Sequence, residues 1–100
     1  MGGMPLSQTQ IKFLKSLAHH LKPVITVGKA GLNGAVVNEL NIALKAHELL
    51  KVKLPAAPRL ERASLLQKIC AETGAEPVQQ IGRVAVVFQR VEKPKIQLPS

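Results

Sequence analysis

The chain has 100 residues, 46% of them hydrophobic, with Phe13 and Phe88 its only aromatics and a formal charge of +8 from fourteen Lys and Arg against six Glu. That length suits one domain whose aliphatic core removes somewhat over ~60% of the unfolded surface from water, and the apolar content excludes intrinsic disorder. The apolar runs are too short to span a bilayer, a single cysteine forms no internal disulfide, and the excess positive charge points to a polyanionic partner.

Met1-Gly2-Gly3 reads as an expression scar before a natural start at Met4, and the stretch lacks the basic and apolar regions of a signal peptide. Leu6 stands where a myristoylation signal needs Ser or Thr, and the single cysteine together with the missing signal peptide makes the reducing cytoplasm the expected compartment. Residues 4–91 are expected to form the domain and 92–100 a C-terminal tail.

Ser7 and Gln10 have capping-box spacing, and Ile11, Leu14, Leu17, Ala18 and Leu21 recur at helical intervals, which predicts a first helix over about residues 8–21. Lys12, Lys15, His19 and Lys22 then fall on a stripe roughly 80° wide beside the apolar face. Pro23 stops the helix, and Val24-Ile25-Thr26-Val27 is a short β-branched strand. After Gly28-Lys29-Ala30-Gly31-Leu32, Asn33 caps a second helix to about His47, with Val36, Val37, Leu40, Ala43 and Leu44 on its buried side. Leu49 to Leu54 reads as a second strand, Leu50, Val52 and Leu54 alternating with Lys51 and Lys53, so that one face is buried and the other carries charge. This strand-helix-strand unit should cross over right-handed.

Pro55 to Pro58 form a stiff connector, and Leu60, Ala63, Leu66, Ile69 and Cys70 mark a third helix closed by Gly74. Pro77 to Ile81 and Val84 to Gln89 are apolar β-rich runs separated by Gly82-Arg83, the length and chemistry of a tight hairpin. Beyond Arg90, two prolines and no periodicity predict a mobile or loosely docked tail. The order is α-β-α-β-α-β-β, a single α/β domain.

Catalysis requires convergent groups, and the sequence offers few. Asp is absent, and Glu39, Glu48, Glu61, Glu72, Glu76 and Glu92 are dispersed, so no carboxylate pair suggests acid-base work. The histidines and Cys70 lack metal-ligand spacing, and Cys70 sits on the apolar side of its helix as a small core residue. No catalytic residue, metal, cofactor or small-molecule substrate is expected.

Gly28-Lys29-Ala30-Gly31, between a strand and a helix, is the strongest local signal. Glycines allow close approach of backbone amides to a ligand, Lys29 adds a cation, and a helix N-terminus adds partial positive charge. The loop is not a Walker loop, because Pro23 and Ala30 occupy positions where that motif needs Gly and Ser or Thr. It does have the form of the GXXG clamp of KH domains, although an ordinary strand-to-helix turn gives the same pattern. Candidate RNA-binding residues are therefore Gly28, Lys29, Ala30 and Gly31, extended by Lys12, Lys15, His19, Lys22 and Arg83. With neither Tyr nor Trp, recognition should rest on backbone and shape more than on base stacking.

The runs Leu17-Ala18-His19-His20-Leu21-Lys22-Pro23-Val24, Val27-Gly28-Lys29-Ala30-Gly31-Leu32, Lys45-Ala46-His47-Glu48-Leu49-Leu50-Lys51-Val52-Lys53 and Gln80-Ile81-Gly82-Arg83 occur in order and at matching spacing. Together they resemble the CRM domain, named for chloroplast RNA splicing and ribosome maturation, in its free-standing bacterial YhbY form. The resemblance covers about Leu6 to Leu98. It departs in the stretch from Pro55 to Ala71, which with Arg59, Glu61, Arg62 and Lys68 is less acidic than the family pattern. The resemblance implies three helices packed with a mixed four-stranded sheet, similar to the C-terminal domain of translation initiation factor 3. It also implies RNA binding through Gly28 to Gly31 and the basic surface, and association with ribosomal RNA in precursors of the large ribosomal subunit. A monomer without membrane contact is expected. The alternatives are a protein-interaction module using Ala35, Ile42 and Ala46, and a DNA-binding domain.

Overall fold

The elements begin and end where the sequence supplies caps and breakers. The computed structural model describes residues 5–100, so the expected scar and the start at Met4 lie outside the described residues. The order is α1 (Gln8–Ala18), β1 (Pro23–Thr26), α2 (Gly34–His47), β2 (Leu49–Lys53), α3 (Arg59–Thr73), β3 (Glu76–Ile81) and β4 (Val84–Phe88). At α1, the Gln10 amide donates to Ser7 Oγ and the Ser7 amide to Gln10 Oε1, which completes the capping box. Asn33 Oδ1 caps α2 by accepting from the Val36 amide at 2.9 Å. Gly74 closes α3 in the left-handed conformation, and Gly82 opens the hairpin at φ 55°.

α1 is shorter than its apolar periodicity suggests. The His20 and Leu21 amides donate three residues back, to the Leu17 and Ala18 carbonyls, and this tighter turn ends the helix before Pro23. Lys22 therefore lies beyond the helix, off the stripe predicted for it.

The sheet order is β1-β2-β4-β3. β1 and β2 are parallel, as a helical crossover requires, while β4 runs antiparallel to both β2 and β3, so the sheet is mixed. α2 and α3 cover one face, where Leu40, Leu44, Leu66 and Ile69 pack with Ile25, Leu50, Val52, Ala85 and Val87. α1 crosses the other face, where Leu14 and Ala18 meet Leu49, Val78, Val86 and Phe88. Each fully buried Leu contributes about 1.5–3 kcal/mol, so both layers are held chiefly by aliphatic burial. The predicted division of β2 into one buried and one charged face holds only in part. Leu49 is buried beneath α1, whereas Lys51 is half-buried and Lys53 exposed where α1 no longer covers the sheet.

Of the mobile or loosely docked states expected for the C-terminal segment, the structure shows a docked one. Ile96 and Leu98 pack on the α1-side core, and Gln10 Nε2 donates to the Pro99 carbonyl. The Lys95 and Ile96 amides donate to Oε1 of buried Glu48, at 2.6 and 3.1 Å. A contact 47 or 48 residues apart in sequence leaves no local signature.

Candidate nucleic-acid interface

β1 delivers the chain to one end of the sheet, where the Val27 amide still donates to the Lys53 carbonyl. The chain then leaves the sheet and turns, the Gly31 amide donating to the Gly28 carbonyl at 3.0 Å, so that Gly28, Lys29 and Ala30 are exposed. Gly31 has φ 80°, a left-handed conformation that disfavours most side chains, whereas Gly28 has no positive φ and open space around it. Only Gly31 is required by the turn itself. With Asn33 fixing the start of α2, the loop leads directly into first-turn amides that a helix cannot satisfy internally.

Two further loops meet this end of the sheet. The Leu54 amide donates to the Arg83 carbonyl, and Arg83 Nε donates to the Leu54 carbonyl at 3.2 Å, which ties the hairpin tip to the end of β2. Arg62 Nη1 donates to the Gly82 carbonyl from the other side. Lys29 and Gly31 share a cleft of about 340 Å³ with Pro55, Ala56, Glu61 and Arg62. The loop residues and Arg83 are thus placed at one end, and Arg62 joins them. The charge of Arg62 was legible in the sequence; its position beside a loop more than thirty residues away was not.

The predicted stripe divides. Lys12 is exposed on α1, while Lys15 and His19 line a concavity of about 280 Å³ with Lys51, Gln79, Ile81, Val84 and Val86. Lys22 belongs to another cavity, of about 480 Å³, with Leu17, Leu21, Val24, His47 and Ile96. Lys51 lines both cavities, a role that its alternation in β2 hinted at but did not locate. Ala35, Ile42 and Ala46 are exposed on α2, Ile42 at 62%, and line none of these three cavities.

The family model of the CRS1 / YhbY (CRM) domain matches residues 6–89. The chain belongs to this family. The CRM domain is 46% identical over 97 residues to "Probable RNA-binding protein PA4753" of Pseudomonas aeruginosa, covering 97% of this chain and 93% of that one. It is also 46% identical, over 94% of its length and 95% of the relative's, to a Haemophilus influenzae protein named "RNA-binding protein". The solution structure of SAV1595 from Staphylococcus aureus superposes with a TM-score of 0.83 at 29% identity, over 94% of this chain and 99% of that one. The α/β fold with three helices and a mixed four-stranded sheet is therefore shared.

Among the described residues, no group of three or more His, Cys, Asp or Glu side chains could hold a metal, and no helix is long and apolar enough to cross a membrane. Cys70 of the CRM domain is half-buried against the α2 and α3 core. Burial, and secondarily the charge of Glu76, pushes its thiol from an ordinary value near 9 up to about 11. Thiolate is the reactive form, so iodoacetamide should label Cys70 in the folded protein at pH 8 far more slowly than in urea, and the rate should rise as pH approaches 11. Mass spectrometry of timed samples reads this directly; equal rates folded and unfolded would show that the thiol is not shielded.

Proposed function

We propose that this CRM domain is a non-enzymatic, monomeric RNA-binding protein of the cytoplasm that grips ribosomal RNA backbone and assists assembly of the large ribosomal subunit. The observation that carries the reading is the exposed Gly28 to Gly31 turn, with Lys29 in it, at a sheet end that also gathers Arg62 and Arg83. A charge of +8 and relatives named for RNA binding support a polyanionic ligand of that kind. Lys29 contacts phosphate, Gly28 and Gly31 allow the backbone close approach, and Ala30 keeps the turn small. Lys15, His19 and Arg83 extend the footprint over the adjoining face, and Lys12 and Lys22 attract RNA that continues around α1.

If about five phosphates are neutralised, log K should fall against log salt with a slope of about −3.5 on single-stranded RNA. Fluorescence anisotropy across a salt series measures this, and a slope near zero would remove the backbone clamp. In lysate gradients the protein should sediment with large-subunit precursors, and should leave them in high salt or after RNase treatment. A protein that stays at the top of the gradient under every condition would confine the family inference to the fold.

A further inference from the structure

The sheet face opposite α2 and α3 is only half covered, and an irregularity in β3 decides what the open half displays. Pro77 pairs with Val87 but Gln79 pairs with Val86, so Val78 is an extra residue in the ladder. Successive side chains of a regular strand point to opposite faces. Here Val78 packs into the α1-side core, and Gln79, the next residue, lines the concavity on that same side. The bulge thus turns a side-chain amide toward the cationic face; in an unbroken ladder it would point toward α2 and α3.

That concavity has the components of a small ligand site. Its floor is apolar, from Val84, Val86 and Ile81, the last 64% exposed although it is a large aliphatic side chain. Its rim carries the ammonium groups of Lys15 on α1 and Lys51 on β2 beside the ring of His19, which caps the end of α1, and no acidic side chain lines it. The Gln79 amide makes no hydrogen bond among the described residues, which leaves both a donor and an acceptor available. A volume of about 280 Å³ is below most ligand pockets, room for one planar heterocycle and not for a duplex.

We propose that this concavity receives one unpaired nucleobase of the bound RNA, with Gln79 reading its edge and Lys15, His19 and Lys51 holding the flanking phosphates. A nucleobase offers a flat apolar face to the floor and paired donors and acceptors to an amide, which is the complement of what the site presents. The rim fixes the sign of the ligand. An acidic peptide would satisfy the cations, but the concavity lies on the face of β2, β4 and β3, and a strand added at the open edge of β3 would pair in the plane of the sheet and not enter it. The site also continues toward the loop, since Lys53, Val84 and Ile81 form the next row of the sheet before Arg83 and Leu54. β4 is two strands from β1, about 10 Å at ordinary sheet spacing, so one short RNA segment can touch both places. The proposal rests on the backbone-clamp reading and adds base preference to it.

The test uses the full chain, fluorescein-labelled homopolymers of A, U and C, and an RNA duplex. The wild type should favour one homopolymer over the others and over the duplex by about tenfold or more. Gln79→Leu should bring the homopolymers to within about twofold of one another with an unchanged salt slope, and Ile81→Ser should weaken the favoured one. Lys29→Ala should lower all affinities alike and keep the preference. Chemical shifts at Lys51, Gln79 and Val84 should respond to the favoured homopolymer in a protein that stays folded. Equal affinity of the wild type for all homopolymers, or a preference that persists in folded Gln79→Leu, overturns the base site and leaves the clamp standing. Shifts at these residues with polyglutamate but not with RNA assign the face to an acidic protein and also overturn it. Failure of the wild type to bind any RNA removes the clamp and this site together.

Discussion

Gly31→Asp should weaken RNA binding about 100-fold at moderate salt while the domain stays folded, because like charges brought together at an interface cost several kcal/mol and each decade of affinity is about 1.4 kcal/mol. The fold survives for three reasons. A side chain at Gly31 meets nothing within 4 Å, so no packing is lost. Its φ of 80° is unfavourable for most residues but is visited by Asp and Asn, at a cost of about 1–2 kcal/mol. That cost falls on a turn outside both core clusters. Gly31→Asn separates the two effects, since it imposes the same backbone strain and similar bulk without the charge. Asn should weaken binding less than about tenfold, and the remainder of the Asp effect should shrink as salt is raised. Anisotropy titrations at two salt concentrations, with thermal unfolding as the control, measure all of this. Equal affinities for wild type and a folded Gly31→Asp protein would place the RNA elsewhere.

How much of this site could be read from the chain depends on whether the determining contact is local. The Ser7 box, the Asn33 cap, the Gly74 terminus and the Gly82 hairpin each depend on a few neighbouring residues, and each lies where the sequence places it. The Gly28 to Gly31 turn is of the same kind. Alternation in β2 predicts that Lys51 and Lys53 share a face, but not that α1 covers only half of it. That depends on where Leu14 and Ala18 dock, which is a tertiary fact. The side of Gln79 could not be read, because the rule of two fails at the bulge, and Pro77, which marks an edge strand or a bulge, does not say which of the two applies. Helical arithmetic misplaced Lys22 for a related reason. The period was correct, but Leu21 belongs to a tighter turn after α1 and its apolar character extended the apparent helix.

The second large effect concerns stability. Glu48→Ala should destabilise the domain by about 2–4 kcal/mol, of which the two part-buried hydrogen bonds from the Lys95 and Ile96 amides account for about 0.5–1.5 kcal/mol each. The loss extends to packing, because Ile96 and Leu98 remain against α1 only while the segment before Pro99 is held. Two features of Glu48 act in the opposite direction. Its backbone has φ 65°, and its Oε2 is buried without a hydrogen-bond partner, so the residue is costly by itself and is compensated by the tail it holds. Removing residues 93–100 should therefore remove most of its value. In the truncated chain Glu48→Ala should cost less than about 1 kcal/mol, and Glu48→Gly, which relieves the positive φ, should raise stability. Urea midpoints for the four combinations of Glu48→Ala and truncation form a double-mutant cycle, and a coupling of about 2 kcal/mol would identify the carboxyl as the tail's anchor. Equal losses in the full and truncated chains would mean that Glu48 stabilises the end of α2 by itself, with the tail docked by Ile96 and Leu98 alone.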